Sequence, residues 1–302
     1  INAIAGDEYT CIGNATASPL LLTNFTNVYN FDVILSYDKD FVVCDGYIQV
    51  HPDLEDGFHV NVIPALEEVH ISWQGQSPTS LPDSSLMAKL VFSGINEGLS
   101  QVDWIANQGE SQFYNENGEI INADFEFGFV IIYSRPDIMF SPKIEEVCEG
   151  EMTFIIPDVS GGTGEYDSYW LGPDNFSSDD NFLFFSEATS KIAGTYTLTV
   201  TDTINCVESS SIELIVYQGP VIAFSPFDTL WVDPGFELDA GNGAEHYLWN
   251  TGETTETIVI DSNGSYNVEV ISFEDCKSSD TVQILWGGTP FYLPNAFTPN
   301  GD

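Results

Sequence analysis

Basic residues are almost missing from this chain. Its 302 residues hold only six, Lys39, Lys89, Arg135, Lys143, Lys191 and Lys277, against 47 acidic ones, for a formal net charge of −41. A field of that sign repels phosphate, which excludes nucleic acid and anionic membranes as partners. Long apolar runs are also lacking. Phe127 to Tyr133 is about the longest, far short of the ~18 residues a spanning helix needs, so no membrane span is expected. Nor does Ile1 open a charged, apolar, small-residue leader. The four histidines, His51, His59, His70 and His246, show no HExxH spacing, and no GxSxG motif or phosphate-cradling glycine loop occurs. With so many carboxylates, some pair falls at glycosidase separation by chance and carries no weight. No catalytic role is assigned.

What the chain does have is apolar substance. It is 43% hydrophobic and 13% aromatic, enough to fill cores in spite of an acidity that elsewhere marks disorder. Phe31, Val33, Leu35 and Tyr37 alternate with polar residues. Val69, Ile71 and Trp73 do the same, as do Leu86, Ala88, Leu90 and Phe92, then Phe125, Phe127 and Phe129. Period-two alternation predicts strands with one buried face. No long stripe of helical period accompanies it, so the fold class is all-β, and the length fits two or three domains at roughly 100–200 residues each.

An internal repeat divides the second half. Trp170 is followed by Gly194-Thr195-Tyr196, and Cys206 lies ten residues after Tyr196; Trp249 is followed by Gly264-Ser265-Tyr266, and Cys276 lies ten residues after Tyr266. A buried Trp facing a Tyr-initiated strand is the core logic of immunoglobulin-like sandwiches. Ser134-Arg135-Pro136-Asp137, Gln218-Gly219-Pro220 and Gly287-Gly288-Thr289-Pro290 read as linkers. The expected organisation is tandem β-sandwiches over 1–134, 137–218 and 220–287, with a further segment over 288–302.

That last segment carries the most specific motif. Pro294-Asn295-Ala296-Phe297-Thr298-Pro299-Asn300-Gly301-Asp302 resembles the opening of the gliding-motility-associated C-terminal domain, the type B sorting domain of Bacteroidetes proteins exported by type IX secretion. From the residues alone, Pro294 and Pro299 impose extended backbone and Asn300-Gly301 a turn. The resemblance implies a cell-surface address, with the type IX outer-membrane translocon and its shuttle protein as partners. It also implies that the chain is an excerpt of a longer secreted protein. The first unit, with NFDVILSYDKDFV, SSLMAKLVFSG and FEFGFVII, resembles cohesin-like sandwiches, which implies a jelly roll with a protein-binding face. The second unit, with VSGGTGEYDSYW and AGTYTLTVTDTINC, is similar to gliding-adhesin and PKD-like repeats. The third, with LDAGNGAEHYLWNTGETT and NGSYNVEV, is similar to the Ig-like module that often precedes such a sorting domain.

In an exported chain, disulfides are the default use of cysteine. The five cysteines show no CxxC or other metal-ligand spacing. Cys11–Cys44 and Cys148–Cys206 each fall within one expected domain, a pairing that leaves Cys276 free because the third unit has Thr229-Leu230-Trp231 where the second has Cys148. Asp38, Asp40, Asp53 and Asp56 offer hard oxygen ligands on loops, readable either as a calcium site or as solvated acidic turns, the commoner role. No other cofactor is expected. Thr203, Thr229 and Thr281 follow the Asp-Thr-aliphatic pattern of Bacteroidetes O-glycosylation. Trp73, Trp104, Trp231 and Trp286 could supply a carbohydrate platform, although alternation places Trp73 with the buried Val69 and Ile71. The function expected is the C-terminal stalk region of a cell-surface adhesin, gliding-associated or not, located outside the outer membrane. Two alternatives stand beside it: the accessory region of a secreted polysaccharide-degrading enzyme, and a cohesin-like scaffold that holds a protein. An extracellular glycan or protein ligand fits all three.

Overall fold

The computed structural model describes residues 1–106, 109–224 and 228–287. Among them the chain is all-β, with short 3-10 turns and no α-helix. Contacts group it into two compact units. One is Ile1–Met139 with Asp158–Tyr169 and Leu198–Ser210; the other is Phe140–Pro157, Trp170–Thr197 and the described residues from Ser211 on.

The first thirteen strands are β1 (Asn2–Ala5), β2 (Glu8–Cys11), β3 (Ala15–Thr23), β4 (Val28–Ser36), β5 (Val42–Ile48), β6 (Phe58–Ile63), β7 (Glu68–Thr79), β8 (Ser85–Gly94), β9 (Gly98–Trp104), β10 (Gln112–Tyr114), β11 (Ile120–Ile121), β12 (Asp124–Glu126) and β13 (Gly128–Tyr133). They form a two-sheet sandwich. One sheet runs β12-β1-β3-β8-β5; the other runs β11-β10-β4-β9-β13-β2, with β7 pairing β4 and β6 pairing β7. The first and last strands change sheets together. β1 runs parallel to β12 in one sheet and β2 parallel to β13 in the other. The crossing is tight: a Cβ on Gly128 would collide with the carbonyl oxygens of Ala5 and Gly6, so glycine is required there.

The alternation read in β4 and β7 is the alternation of the core. Phe31, Val33, Leu35, Tyr37, Val69, Ile71 and Trp73 are all buried in one cluster. Two other stretches depart from the expected phase. A bulge between Leu20 and Leu21 shifts the register against β8, so Met87 and Ala88 are both buried while Leu86 is only half-buried. In the last stretch Phe125 packs half-buried against the core, Phe127 is 51% exposed, and the core is filled beyond it by Val130 and Ile132. The sheet change between β12 and β13 resets which side chains point inward.

The remaining strands are β14 (Pro136–Phe140), β15 (Ile144–Cys148), β16 (Thr153–Ile155), β17 (Pro157–Gly161), β18 (Tyr166–Leu171), β19 (Ser177–Ser178), β20 (Leu183–Phe185), β21 (Gly194–Asp202), β22 (Val207–Tyr217), β23 (Thr229–Val232), β24 (Glu237–Asp239), β25 (His246–Trp249), β26 (Thr257–Val259), β27 (Gly264–Ile271) and β28 (Lys277–Trp286). The repeat has matching internal anatomy. Trp170 and Trp249 are buried, and their indole N–H groups donate to the carbonyls of Asp180 (2.9 Å) and Thr255 (2.8 Å). The hydroxyls of Tyr196 and Tyr266 donate to carbonyls four residues back, Ile192 (2.8 Å) and Ser262 (3.0 Å). This is the tyrosine corner of immunoglobulin-like sandwiches. Burial pushes the Tyr196 phenol up to about 12. The turns that follow correspond as well. Asn205 and Asp275 both take positive φ, and each turn closes on its cysteine, Asp202 N–H to the Cys206 carbonyl and Ser272 N–H to the Cys276 carbonyl.

The disulfides overturn the expected pairing. Cys11 bonds Cys206 and Cys148 bonds Cys276, across sequence separations of 195 and 128, and Cys44 is the free cysteine. Cys44 lies on β5 with its side chain in the core of the sandwich, which keeps it from Cys11. Cys148 pairs in register with Tyr217, at the end of β22, whereas Cys206 directly precedes Val207 at its start. At about 3.3 Å per residue that strand puts roughly 30 Å between the two positions, far beyond a disulfide. The sequence order of the bridges has a logic of its own. Cys11 and Cys206 fall in one compact unit and Cys148 and Cys276 in the other, so the stretch after Gln218 needs no early cysteine of its own. Arg135, read as linker, is also engaged. Its guanidinium donates to Ile12 O (2.8 Å), Asn14 Oδ1 (2.9 Å) and Val207 O (3.3 Å).

Candidate functional site

Strands β4, β7 and β6 present a common outer face in the first sandwich. Since Phe31, Trp73 and Phe58 point inward, the residues between them point out. Asp32, Ser72 and His59 form one cross-strand row, because Asp32 pairs Ser72 and Ser72 pairs His59. Ile34, His70 and Asn61 form the next row. The His70 Nε2 and Glu68 Oε2 atoms are 2.7 Å apart on this face. At one end the face deepens into an open groove of about 700 Å³ lined by Tyr29, Asn30, Asp32, His59, Gln74 and Gln76 among others. Two of its lining residues are tied to Asp56: the Trp73 indole donates to Asp56 O (3.0 Å), and Gln76 donates to Asp56 Oδ2 (2.8 Å). The face offers amide, hydroxyl and imidazole groups together with the carboxylates of Asp32 and Glu68. It can read a polar surface by hydrogen bonds, and it presents no activated nucleophile.

The acidic residues weighed for calcium are occupied with turns. Asp38 accepts the Asp40 N–H through Oδ1 (2.9 Å), while its own N–H donates to Ser100 Oγ (2.9 Å). Asp53 donates its N–H to His51 Nδ1 (3.2 Å) in the short 3-10 turn Pro52–Leu54. Asp38 and Asp40 lie between β4 and β5, Asp53 and Asp56 between β5 and β6. Among the described residues no group of three or more His, Cys, Asp or Glu is arranged to hold a metal ion.

Thr203, Thr229 and Thr281 are all exposed. Thr203 donates to Thr163 Oγ1 (2.9 Å) in the β21–β22 turn. Thr229 and Thr281 share one face of the β23–β28 pair, because Thr229 opposes Gln283. Of the tryptophans weighed as a platform, Trp73 and Trp104 are buried, Trp231 is 60% exposed and Trp286 is half-buried. A row of sugar-stacking indoles is therefore not assembled. The motif over 294–302 lies outside the described residues.

The free thiol of Cys44 is chemically quiet. Burial pushes it up to about 11, outweighing the backbone of Gly46, which favours the thiolate. Asp202 was not singled out by sequence reading except as the residue before Thr203. It is 4% exposed and accepts the N–H groups of Ile204 (3.1 Å), Cys206 (2.8 Å) and Thr163 (3.1 Å). An Asp at the head of a short turn ending in cysteine was the available signal.

No family model matches the sequence, and no curated protein matches it. The solved structures it resembles include cohesin modules. The type I cohesin–dockerin complex of Clostridium thermocellum shares 15% identity over 43% of this chain and 97% of that one, with a TM-score of 0.38. A non-cellulosomal cohesin of Archaeoglobus fulgidus shares 15% over 43% of this chain and 89% of that one, at 0.37. The cohesin module of a Clostridium perfringens family 33 glycoside hydrolase shares 15% over 44% and 97%, at 0.36. At these identities and scores the likeness conveys nothing about what this chain binds.

Proposed function

We propose that this chain is the stalk region of a cell-surface adhesin, exported by type IX secretion, with no catalytic role. The observation that carries the extracellular part of this reading is the pair of long-range disulfides, Cys11–Cys206 and Cys148–Cys276. Such bonds persist in oxidising compartments and are rare inside mesophilic cells. No helix among the described residues is long and apolar enough to cross a membrane. The export route rests on the resemblance of Pro294–Asp302 to a type B sorting motif. The charge of −41 supports a role as a spacer, because like-charged neighbours repel.

A second reading, a protein-holding module, is favoured by the polar groove on β4, β7 and β6. An accessory role beside a polysaccharide-degrading domain is a third, distinguished by whether the gene encodes such a domain.

Antibody labelling of living host cells tests the adhesin reading. Label on intact cells that disappears when the residues from Pro294 on are deleted is the expected result. Protein retained inside the envelope in its native form would overturn it.

A further inference from the structure

The two-stranded ribbon of β16 and β20 carries an apolar face that no core uses. Phe154 pairs with Phe184 across the ribbon, and their rings stack with centroids 4.8 Å apart at 30°. Both are in solvent, 44% and 51% exposed, and Met152 (65%), Ile156 (65%) and Phe182 (47%) extend the same face. At about 100 Å² each, half of what an aromatic side chain can bury, these five expose on the order of 500 Å² of contiguous apolar surface. That is the size of the largest patch tolerated on a typical monomer.

The fold does not require it. The third module builds the corresponding ribbon from β24 and β26, with Leu238 and Ile258 inward and Glu237, Asp239, Thr257 and Val259 outward. One module fills these outward positions with carboxylates, a hydroxyl and one valine, the other with phenylalanine, methionine and isoleucine. The difference is therefore specific to the second module, and what it adds is a contact surface.

The charge around the patch selects the occupant. Within five residues of either strand lie Glu149, Glu151, Asp158, Asp179, Asp180 and Glu187, and no lysine or arginine. A second copy would bring the same charges against these, at −41 on each chain. A glycan would find a stacking pair flanked by thioether and aliphatic side chains, without the polar groups that orient a sugar. Stacked aromatics with methionine are the composition of protein-interface centres. From these features we infer that the β16–β20 ribbon is a docking surface for a protein partner that is apolar at its centre and basic at its rim. This goes beyond the adhesin reading and does not depend on it.

The test uses the full chain and a synthetic amphipathic peptide of leucine and lysine, with binding followed by fluorescence anisotropy. Controls are the same peptide with serine for leucine and with glutamate for lysine. The Leu/Lys peptide should bind at least tenfold more weakly to Phe154→Ser/Phe184→Ser, and equally well to Val259→Ser in the third module. The Ser/Lys peptide should not distinguish the variants. Near-ultraviolet circular dichroism checks that the double variant keeps its fold, and Met152→Ser/Ile156→Ser, at the margin of the face, gives an independent second variant. Equal binding of the Leu/Lys peptide to native and patch variants would overturn the proposal. So would a concentration-dependent dimer, seen by sedimentation and lost in the variants, or an oligosaccharide that binds only the native patch.

Discussion

Replacing Asp202 with alanine should destabilise the β21–β22 hairpin by about 3–4 kcal/mol. The carboxylate is buried and accepts three backbone N–H groups, those of Ile204, Cys206 and Thr163. Each hydrogen bond to a charged group is worth about 1.5–3 kcal/mol net, and such bonds on one acceptor are not additive. The Cys206 N–H is itself buried, so truncation leaves it without water as a substitute. The third module supplies the reference for a milder change. There Ser272 Oγ accepts from Glu274 N–H (3.2 Å) and Cys276 N–H (3.3 Å) in the same turn. Asp202→Ser should therefore keep the two bonds within the turn, lose the one to Thr163, and cost about 1–2 kcal/mol. Native-state hydrogen exchange, read by mass spectrometry on peptides covering β21 and β22, gives the local free energy whether or not the modules unfold together. An Asp202→Ala value within about 0.5 kcal/mol of the native one, or a serine variant as weak as alanine, would refute this account of the turn.

Other expectations follow from the same contacts. Removing one bridge by Cys148→Ser/Cys276→Ser opens a loop of 128 residues, worth up to about 5 kcal/mol of denatured-state entropy; a urea midpoint unchanged from the native chain would contradict it. The Cys44 thiol, pushed by burial from 9.0 up to about 11, is largely neutral in both folded and unfolded chains below about pH 8. Above that the unfolded thiol ionises first, so stability should fall by about 2–3 kcal/mol between pH 9 and 11. Cys44→Ala should remove that part of the slope and leave any steepening due to Tyr196 at higher pH; an unaltered profile would show that Cys44 is not buried as described. At pH 8, iodoacetamide should leave Cys44 unmodified in the native chain and alkylate it in urea.

The fold was legible wherever alternation ran without interruption. Phe31 to Tyr37 and Val69 to Trp73 each read correctly as core faces, and the repeat was visible because Trp, Tyr and Cys recur in a fixed order. Where the backbone breaks its period, the reading failed. The bulge opposite Leu20 and Leu21 and the sheet change at Phe127 each shift the inward phase by one residue, and nothing in local composition marks either event. Disulfide connectivity was illegible for another reason. Pairing between cysteines near in sequence is the natural assumption, but here the partners lie 195 and 128 residues apart, so the pattern emerges only from the fold. The groove on the first sandwich was legible only as a face, because its lining side chains Trp73 and Gln76 are held by Asp56, distant in sequence. The apolar ribbon was hidden for a similar reason: a run such as Phe182-Leu183-Phe184-Phe185 reads as core until exposure is known.

The most direct test of an extracellular, bridged chain is peptide mapping without reduction, on protein taken from its native host and alkylated at harvest. The account predicts two linked pairs, Cys11 with Cys206 and Cys148 with Cys276, and Cys44 as the single free thiol. Five free cysteines in native material would contradict it, since the compartment would then be reducing and the reading of the chain as an exported surface protein would fail.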